Sequence, residues 1–211
     1  HFNKKKPADE TGNYRITSKN IMISHKNPVF GEGSGLFERD YYTLILSPLS
    51  SGYFSPGTLW GDFTIQFWMQ PRTLCDREIL LSWNGSRISG ETIQNQSLHG
   101  TLQNRVCTWE FINFFLPESR EEHKIILKGT TPLLPGEWRH HMIRFDSSTG
   151  MVEYLVDGIP ESVQYMTDNN IDGETVYLPY IGDIFSGDLK IGEYFTGLID
   201  EFSLTGDFVR Q

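Results

Sequence analysis

The 211-residue chain is poor in the residues from which helical, zinc-binding and membrane-spanning proteins are built. Alanine, the strongest helix former, occurs once, at Ala8, which argues against a helical protein. Two cysteines, Cys75 and Cys107, are too few for a zinc site and form no C-x-x-C redox pair. No run approaches the ~18 apolar residues of a membrane span, and no secretory hydrophobic segment is visible. We therefore expect no membrane insertion.

Basic residues are also scarce, since 18 Lys and Arg face 27 Asp and Glu and leave a formal net charge of −9. Nucleic acids and anionic membranes are bound by basic surfaces. The charge therefore predicts no nucleic-acid partner. The two cysteines leave two alternatives open: one disulfide that closes a loop of about 30 residues, or two free thiols.

The residues that are abundant favour an all-β protein. The chain contains 20 Gly, 10 Pro, 14 Phe and 9 Tyr, which are typical of short strands joined by tight turns. From Ile21 onward apolar and polar residues alternate with period two, and about twelve candidate strands follow at regular spacing, 36–47 among them. This pattern predicts a two-sheet antiparallel β-sandwich with jelly-roll connections.

Two segments lack the alternation. Residues 1–20 contain a Lys run and few apolar side chains, so we expect a flexible N-terminal lead-in or linker, followed by one domain over 21–211. Residues 84–105 are polar and are expected to form a long loop. Within the strands the alternation predicts core faces. In 62–70 the inward set is Phe63, Ile65, Phe67 and Met69, and in 138–145 His141 falls on the inward side.

Three segments, in this order and spacing, resemble the laminin G-like, concanavalin A-like lectin/glucanase jelly-roll superfamily. The first is GDFTIQFWMQP at 61–71, and the second is PGEWRHHM at 135–142 with YLVDG at 154–158. The third is LKIG at 189–192 followed by GLIDEF at 197–202. His141 departs from the small apolar residue usual at its position, and we interpret it as a buried, neutral, hydrogen-bonded histidine.

The resemblance implies a binding module of a secreted, periplasmic or cell-surface protein. Relatives bind glycans, proteins or calcium, and some hydrolyse polysaccharides. The E-x-D-x-E strand of the related hydrolases is absent, and 106–115 carries only Glu110, so a hydrolase that pairs Glu110 with a distant carboxylate is the weaker alternative. We expect a non-catalytic, lectin-like module, with a protein–protein adhesion or assembly module as the other alternative.

Glycan binding uses aromatic rings that stack on sugars, beside amides and acids that bond to hydroxyls. The candidate sugar-binding residues are Trp83, Asn84, Trp109, Glu110, Asn113 and Tyr180. Trp68 and Trp138 belong to the family motifs and are interpreted as packing residues.

The resemblance also implies a structural calcium ion at the Asp of the terminal I-D-E strand. That residue is Asp200, and Glu38 or Asp40 would complete an oxygen shell; the alternative is that Asp200 accepts bonds from backbone amides of a neighbouring loop. A weaker calcium candidate is the D-x-N-x-D-G run of Asp168, Asn170 and Asp172, for which an ordinary polar turn is the alternative.

Overall fold

A computed structural model describes Phe2 and residues 7–39, 42–116 and 122–210. These residues form strands and contain no α-helix, and therefore no helix long and apolar enough to cross a membrane. The strands are β1 (Tyr14–Lys19), β2 (Met22–Ser24), β3 (Ser34–Glu38), β4 (Thr43–Pro48), β5 (Phe63–Pro71), β6 (Ile79–Ser89), β7 (Thr92–Gln103), β8 (Val106–Ile112), β9 (Lys124–Lys128), β10 (Arg139–Asp146), β11 (Met151–Val156), β12 (Ile159–Tyr165), β13 (Phe185–Ser186), β14 (Leu189–Ile191) and β15 (Thr196–Thr205).

The strands form two antiparallel sheets that pack face to face. The larger sheet has the order β1-β4-β14-β6-β7-β8-β9, with the short β13 beside β6. The smaller sheet has the order β12-β11-β10-β5-β15-β3-β2. About half of the neighbouring strands, such as β6 and β7, are consecutive in the chain, and the others, such as β4 and β14, are not, so several connections cross between the sheets. The predicted all-β, two-sheet jelly-roll sandwich is confirmed.

Alternation along the strands places one face of each sheet in a shared core. In β5 the predicted inward set, from Phe63 to Met69, is 0–3% exposed. His141 of β10 is fully buried among them, where its ring stacks on Phe67 and its Nδ1 lies 2.7 Å from the Tyr154 hydroxyl. Burial lowers the pKa of His141 to about 3, so the imidazole is neutral at pH 7. This agrees with the interpretation as a buried, neutral, hydrogen-bonded histidine.

The expectation of a loop over 84–105 is wrong, because these residues form most of a long hairpin. β6 and β7 pair from Ile79 to Thr101, and the two-residue turn at Gly90-Glu91 joins them. The turn begins with Gly90 at a φ of 61°, a conformation that glycine adopts readily. The polar composition concealed the hairpin because several of its inward side chains are themselves polar. Gln96, for example, is 1% exposed.

Two further expectations about the N-terminal part of the chain are corrected. The described part of residues 1–20 is not simply a flexible lead-in, because β1 pairs with β4 over six residues and Phe2 is only 3% exposed in the core. The single strand predicted over 36–47 is instead two strands in different sheets. β3 pairs with β2 and β15, whereas β4 pairs with β1 and β14.

Both cysteines are free thiols, so the disulfide alternative is wrong and the alternative of two free thiols holds. Cys75 is exposed in the segment before β6, whereas Cys107 lies in the core on β8. Burial raises the pKa of the Cys107 thiol to about 12, which makes it unreactive as a nucleophile.

Candidate functional site

A row of hydrogen-bonding side chains crosses the outer face of the larger sheet. The row comprises Lys190 of β14, Ser82 of β6, His99 of β7 and Glu110 of β8, and we call it the polar row. Each member is directly opposite the next in the strand register. With neighbouring strands about 4.8 Å apart, the four positions span about 14 Å. Because sheet side chains alternate between faces, these residues point away from the core that holds Leu81, Leu98 and Trp109.

Charges on the polar row are balanced in pairs. Glu193, in the turn after β14, accepts a hydrogen bond from the Ser82 hydroxyl at 3.1 Å and pairs with the Lys190 ammonium at 2.8 Å. Glu110 pairs with Lys124 of the neighbouring β9. The four charged side chains keep between 25% and 42% of their surface exposed, so they remain accessible to a ligand.

His99 lies at the centre of the polar row. Partial burial lowers the pKa of His99, although the nearby carboxylates of Glu110 and Glu193 oppose this shift. The imidazole is therefore neutral at pH 7, with one nitrogen that donates a hydrogen bond and one that accepts.

Amides and hydroxyls continue the polar surface along the β6–β7 hairpin. Asn84 is opposite Ser97, and Ser86 is opposite Asn95. Both asparagines are exposed, whereas both serines are largely covered. Side-chain amides offer two donors and an acceptor each, so this surface extends the hydrogen-bonding capacity of the polar row.

The predicted sugar-binding residues separate into two groups. Asn84 and Glu110 share the outer face of the larger sheet with the polar row. Trp83 and Trp109 alternate with them and face the core, where both are 0% exposed. The expectation that these two tryptophans stack on a sugar is therefore wrong, because neither ring presents a face to solvent.

Asn113 and Tyr180 lie at the end of the sheet and hold connecting segments together. Asn113 is 3% exposed, donates to the carbonyl of Asn95 at 2.7 Å and accepts from the amide of His123 at 2.8 Å. The carbonyl of Tyr180 accepts from the Gln96 side chain at 2.8 Å. The oxygen and the nitrogen of the Asn113 side chain thus both have partners within the fold, whereas the Tyr180 ring is partly exposed and its role in sugar binding stays a prediction.

Asp200 holds the loop over 25–33 against the outer face of the smaller sheet. Its Oδ2 accepts from the amides of Val29 and Phe30 at 3.1 and 3.4 Å, and its Oδ1 accepts from the amide of Glu201 at 2.9 Å. Two further residues of the family motifs contact the same loop. The Trp138 indole donates to the carbonyl of Asn27 at 2.9 Å, and the Trp68 ring packs edge-on against Phe30.

This arrangement is the amide-binding alternative predicted for Asp200. Glu38 lies four residues along β3 from the position opposite Asp200, about 13 Å away, and is paired with Arg72. Asp40 lies outside the described residues. Among the residues that the structure describes, no group of three or more His, Cys, Asp and Glu side chains is placed to hold a metal ion. Calcium binding at Asp200 stays a prediction.

The second calcium candidate is an exposed turn on the surface. The Thr167–Val176 bridge joins its ends, and the Thr167 hydroxyl bonds to both backbone groups of Ile171. Asp168 accepts a hydrogen bond from the Tyr177 hydroxyl, while Asn170 and Asp172 are exposed. These bonds are those of an ordinary polar turn, and calcium binding there also stays a prediction.

Three members of the polar row, namely Ser82, His99 and Lys190, were not predicted from the sequence, and neither was Glu193. His99 was not predicted because the polar segment that contains it was interpreted as a loop. A residue in a loop cannot be assigned to the inner or the outer face of a sheet. The short serine- and glycine-containing segments that flank Gly90 carried the available signal, since a two-residue Gly turn between extended segments is typical of a hairpin.

A laminin G family model, described as the concanavalin A-like lectin/glucanases superfamily, matches residues 50–208. The chain belongs to this superfamily. No curated protein sequence matches the chain. The matched residues include the three motifs and every member of the polar row, so the family assignment predicted from the motifs is confirmed.

Solved structures with the same fold include binding domains of botulinum neurotoxins. The serotype G binding domain covers 96% of the chain, with a TM-score of 0.60 and 12% sequence identity. The serotype D binding domain covers 99% of the chain, with a TM-score of 0.59 and 13% sequence identity. The binding domain of botulinum neurotoxin DC, solved in complex with rat synaptotagmin II, covers 99% of the chain, with a TM-score of 0.58 and 13% sequence identity. The chain spans about half of these structures, 45–47% of their length. Because the sequence identity is only 12–13%, the similarity to these structures shows a shared fold and nothing more.

Proposed function

We propose that this domain is a non-catalytic carbohydrate-binding module whose ligand lies along the polar row. The observation that carries the proposal is the alignment of Lys190, Ser82, His99 and Glu110 across four adjacent strands. The row supplies donors from the Lys190 ammonium and the His99 imidazole and acceptors from the Glu110 carboxylate and the Ser82 hydroxyl, whose own proton is donated to Glu193, and sugar hydroxyls need both kinds of partner.

The balance of charge favours a neutral glycan. Lys190 and Lys124 are each matched by a glutamate, so the surface offers no net charge to a sulfated or sialylated sugar. Tyr194 follows Glu193 in the turn after β14 and is 45% exposed. We assign to it the stacking role that the buried tryptophans cannot perform.

Pairing of the carboxylates with lysines supports a binding rather than a hydrolytic role. Glycoside hydrolysis needs one carboxyl group that donates a proton and a second that acts as base or nucleophile. Glu193 contacts Lys190 and Ser82, and Glu110 contacts Lys124, so both carboxylates already have partners within the fold. A glycan-binding role also fits a secreted, periplasmic or cell-surface location, which fractionation of the source cells would test.

Binding measurements on matched variants test the proposal. A glycan array identifies the ligand, and calorimetry compares wild type with His99→Ala and Glu110→Gln. Each variant should weaken binding about 10- to 100-fold, because each removes a partly buried hydrogen bond to the ligand. Glu174→Gln, in the exposed turn 167–176, makes the same chemical change away from the row and should bind as wild type.

Two results would contradict the proposal. One is unchanged affinity in both row variants while their melting temperatures match wild type. The other is release of reducing sugar from a bound polysaccharide that stops in Glu110→Gln, which would revive the hydrolase alternative.

A protein-binding role is the second candidate, and it rests on a different surface. Ile159 and Val163 of the edge strand β12 are 66% and 46% exposed. Exposed apolar residues on an edge strand are typical of contact sites. A silent glycan array, together with a protein partner that is lost in Val163→Glu, would favour this function over sugar binding.

A further inference from the structure

A cavity of about 220 Å³ lies between the two sheets, on the opposite side of the larger sheet from the polar row. One wall is formed by the inner faces of β1, β4 and β14, and the other by the last part of β15. Residues 7–11 cover the outer side. The apolar lining comprises Phe2, Ile16, Leu44, Leu46, Leu189 and Leu204.

A bulge in β15 accounts for the cavity. The register of β15 against β5 shifts between Asp200 and Ser203, and Glu201 has a φ of 48°. A bulge bends its strand and increases the local twist, which moves the following residues relative to the facing sheet. Phe202, Ser203 and Leu204 follow this bend and line the cavity. The two sheets therefore do not close on each other at this point.

We propose that this cavity is a binding site for a small hydrocarbon ligand, such as the alkyl chain of an amphipathic molecule. Apolar cavities of ~150 Å³ bind benzene, so this partly open cavity, whose lining is mostly apolar, accommodates a somewhat larger group. The leucine and isoleucine walls supply the hydrophobic contact. Asp9 is half-buried and Thr11 is exposed at the covering segment, so the polar end of such a ligand would face solvent there.

Titration of the methyl-labelled protein with 1-octanol tests the site directly. We expect saturable chemical-shift changes at the methyl groups of Leu44, Leu46 and Leu204 and none at Leu81, which packs elsewhere in the core. The melting temperature of the wild type should rise with octanol, because a ligand that binds only the folded state stabilises it.

Variants that fill the cavity provide the control. Leu46→Phe and Leu204→Phe reach it from opposite walls and should each abolish the octanol response, and at least one should keep or raise the melting temperature without ligand. Leu81→Phe makes the same change in the packed core, and it should lower the melting temperature but retain the response. Absence of saturable shifts in the wild type, or an unchanged response in a folded filling variant, would overturn the proposal.

Discussion

Asp200 and His141 each place an ionisable side chain in a buried position of the smaller sheet, and their partners determine what each does. Burial raises the pKa of Asp200, while three backbone amides that donate to its carboxylate oppose this shift. His141 has the neutral Tyr154 hydroxyl as its hydrogen-bonding partner and lies between two stacked rings, and burial lowers its pKa. Asp200 therefore fixes the loop over 25–33 by hydrogen bonds, and His141 makes the core sensitive to acid.

We expect acid to destabilise the fold through His141. Its folded pKa of about 3 lies below the unfolded value near 6.5, so the unfolded state binds the proton first as pH falls. The contribution of His141 to the free energy of unfolding is therefore constant above pH 6.5, and it falls by about 1.4 kcal/mol per pH unit between pH 6.5 and about 3. Urea unfolding at pH 7.5 and pH 4.5 measures this loss. His141→Phe should lose less stability between these pH values, and an identical loss would contradict the assignment.

Removal of the Asp200 carboxylate should release the loop over 25–33. Asp200→Ala leaves the amides of Val29 and Phe30 without their acceptor and should cost about 1–3 kcal/mol of unfolding free energy. Hydrogen exchange at these two amides should become faster, and protection equal to wild type would refute the role. The same variant tests calcium: a melting temperature that rises with calcium in the wild type, but not in Asp200→Ala, would support the metal site.

At the scale of elements, the strands with a clean apolar alternation were predictable and the β6–β7 hairpin was not. β5 alternates Phe63, Ile65, Phe67 and Met69 with outward residues, and such a pattern is decisive because a single face is buried. In β7 the inward Gln96 looks like a surface residue. Its amide is satisfied by carbonyls of Asn113 and Tyr180 and by the amide of Gly182, contacts that sequence separation conceals.

The buried amide of Gln96 should be essential to the hairpin. Gln96→Leu would leave two carbonyls and the Gly182 amide without their partner in the core, at a cost of about 2–4 kcal/mol. Chemical denaturation measures this loss. Gln103→Leu, at the exposed end of the same strand, is the matched control and should change stability by less than about 0.5 kcal/mol. Equal effects of the two substitutions would show that the buried contacts contribute nothing.

At the scale of the whole molecule, the N-terminal segment connects the two sheets. β1 forms one edge of the larger sheet, whereas the Phe2 ring packs on Gly35 of β3 in the smaller sheet. The approach is so close that a Cβ at Gly35 would lie 2.6 Å from the ring. The polar composition of the N-terminal segment does not indicate this role. The segment is held by a few contacts, such as that of Phe2, and not by a continuous apolar stripe.

Deletion of residues 1–20 should therefore weaken the whole sandwich rather than trim a tail. It uncovers the backbone of β4, removes the buried Phe2 and opens the cavity that residues 7–11 cover. Phe2→Ala alone should lower the free energy of unfolding by about 3 kcal/mol, and each kcal/mol lowers the melting temperature by about 3 °C in a domain of this size. We therefore expect the deletion to lower the melting temperature by at least about 8 °C. Calorimetry of the full chain, the deletion and Phe2→Ala would order them by decreasing midpoint as full chain, Phe2→Ala, deletion. A deletion that melts with the full chain would restore the view of these residues as a lead-in.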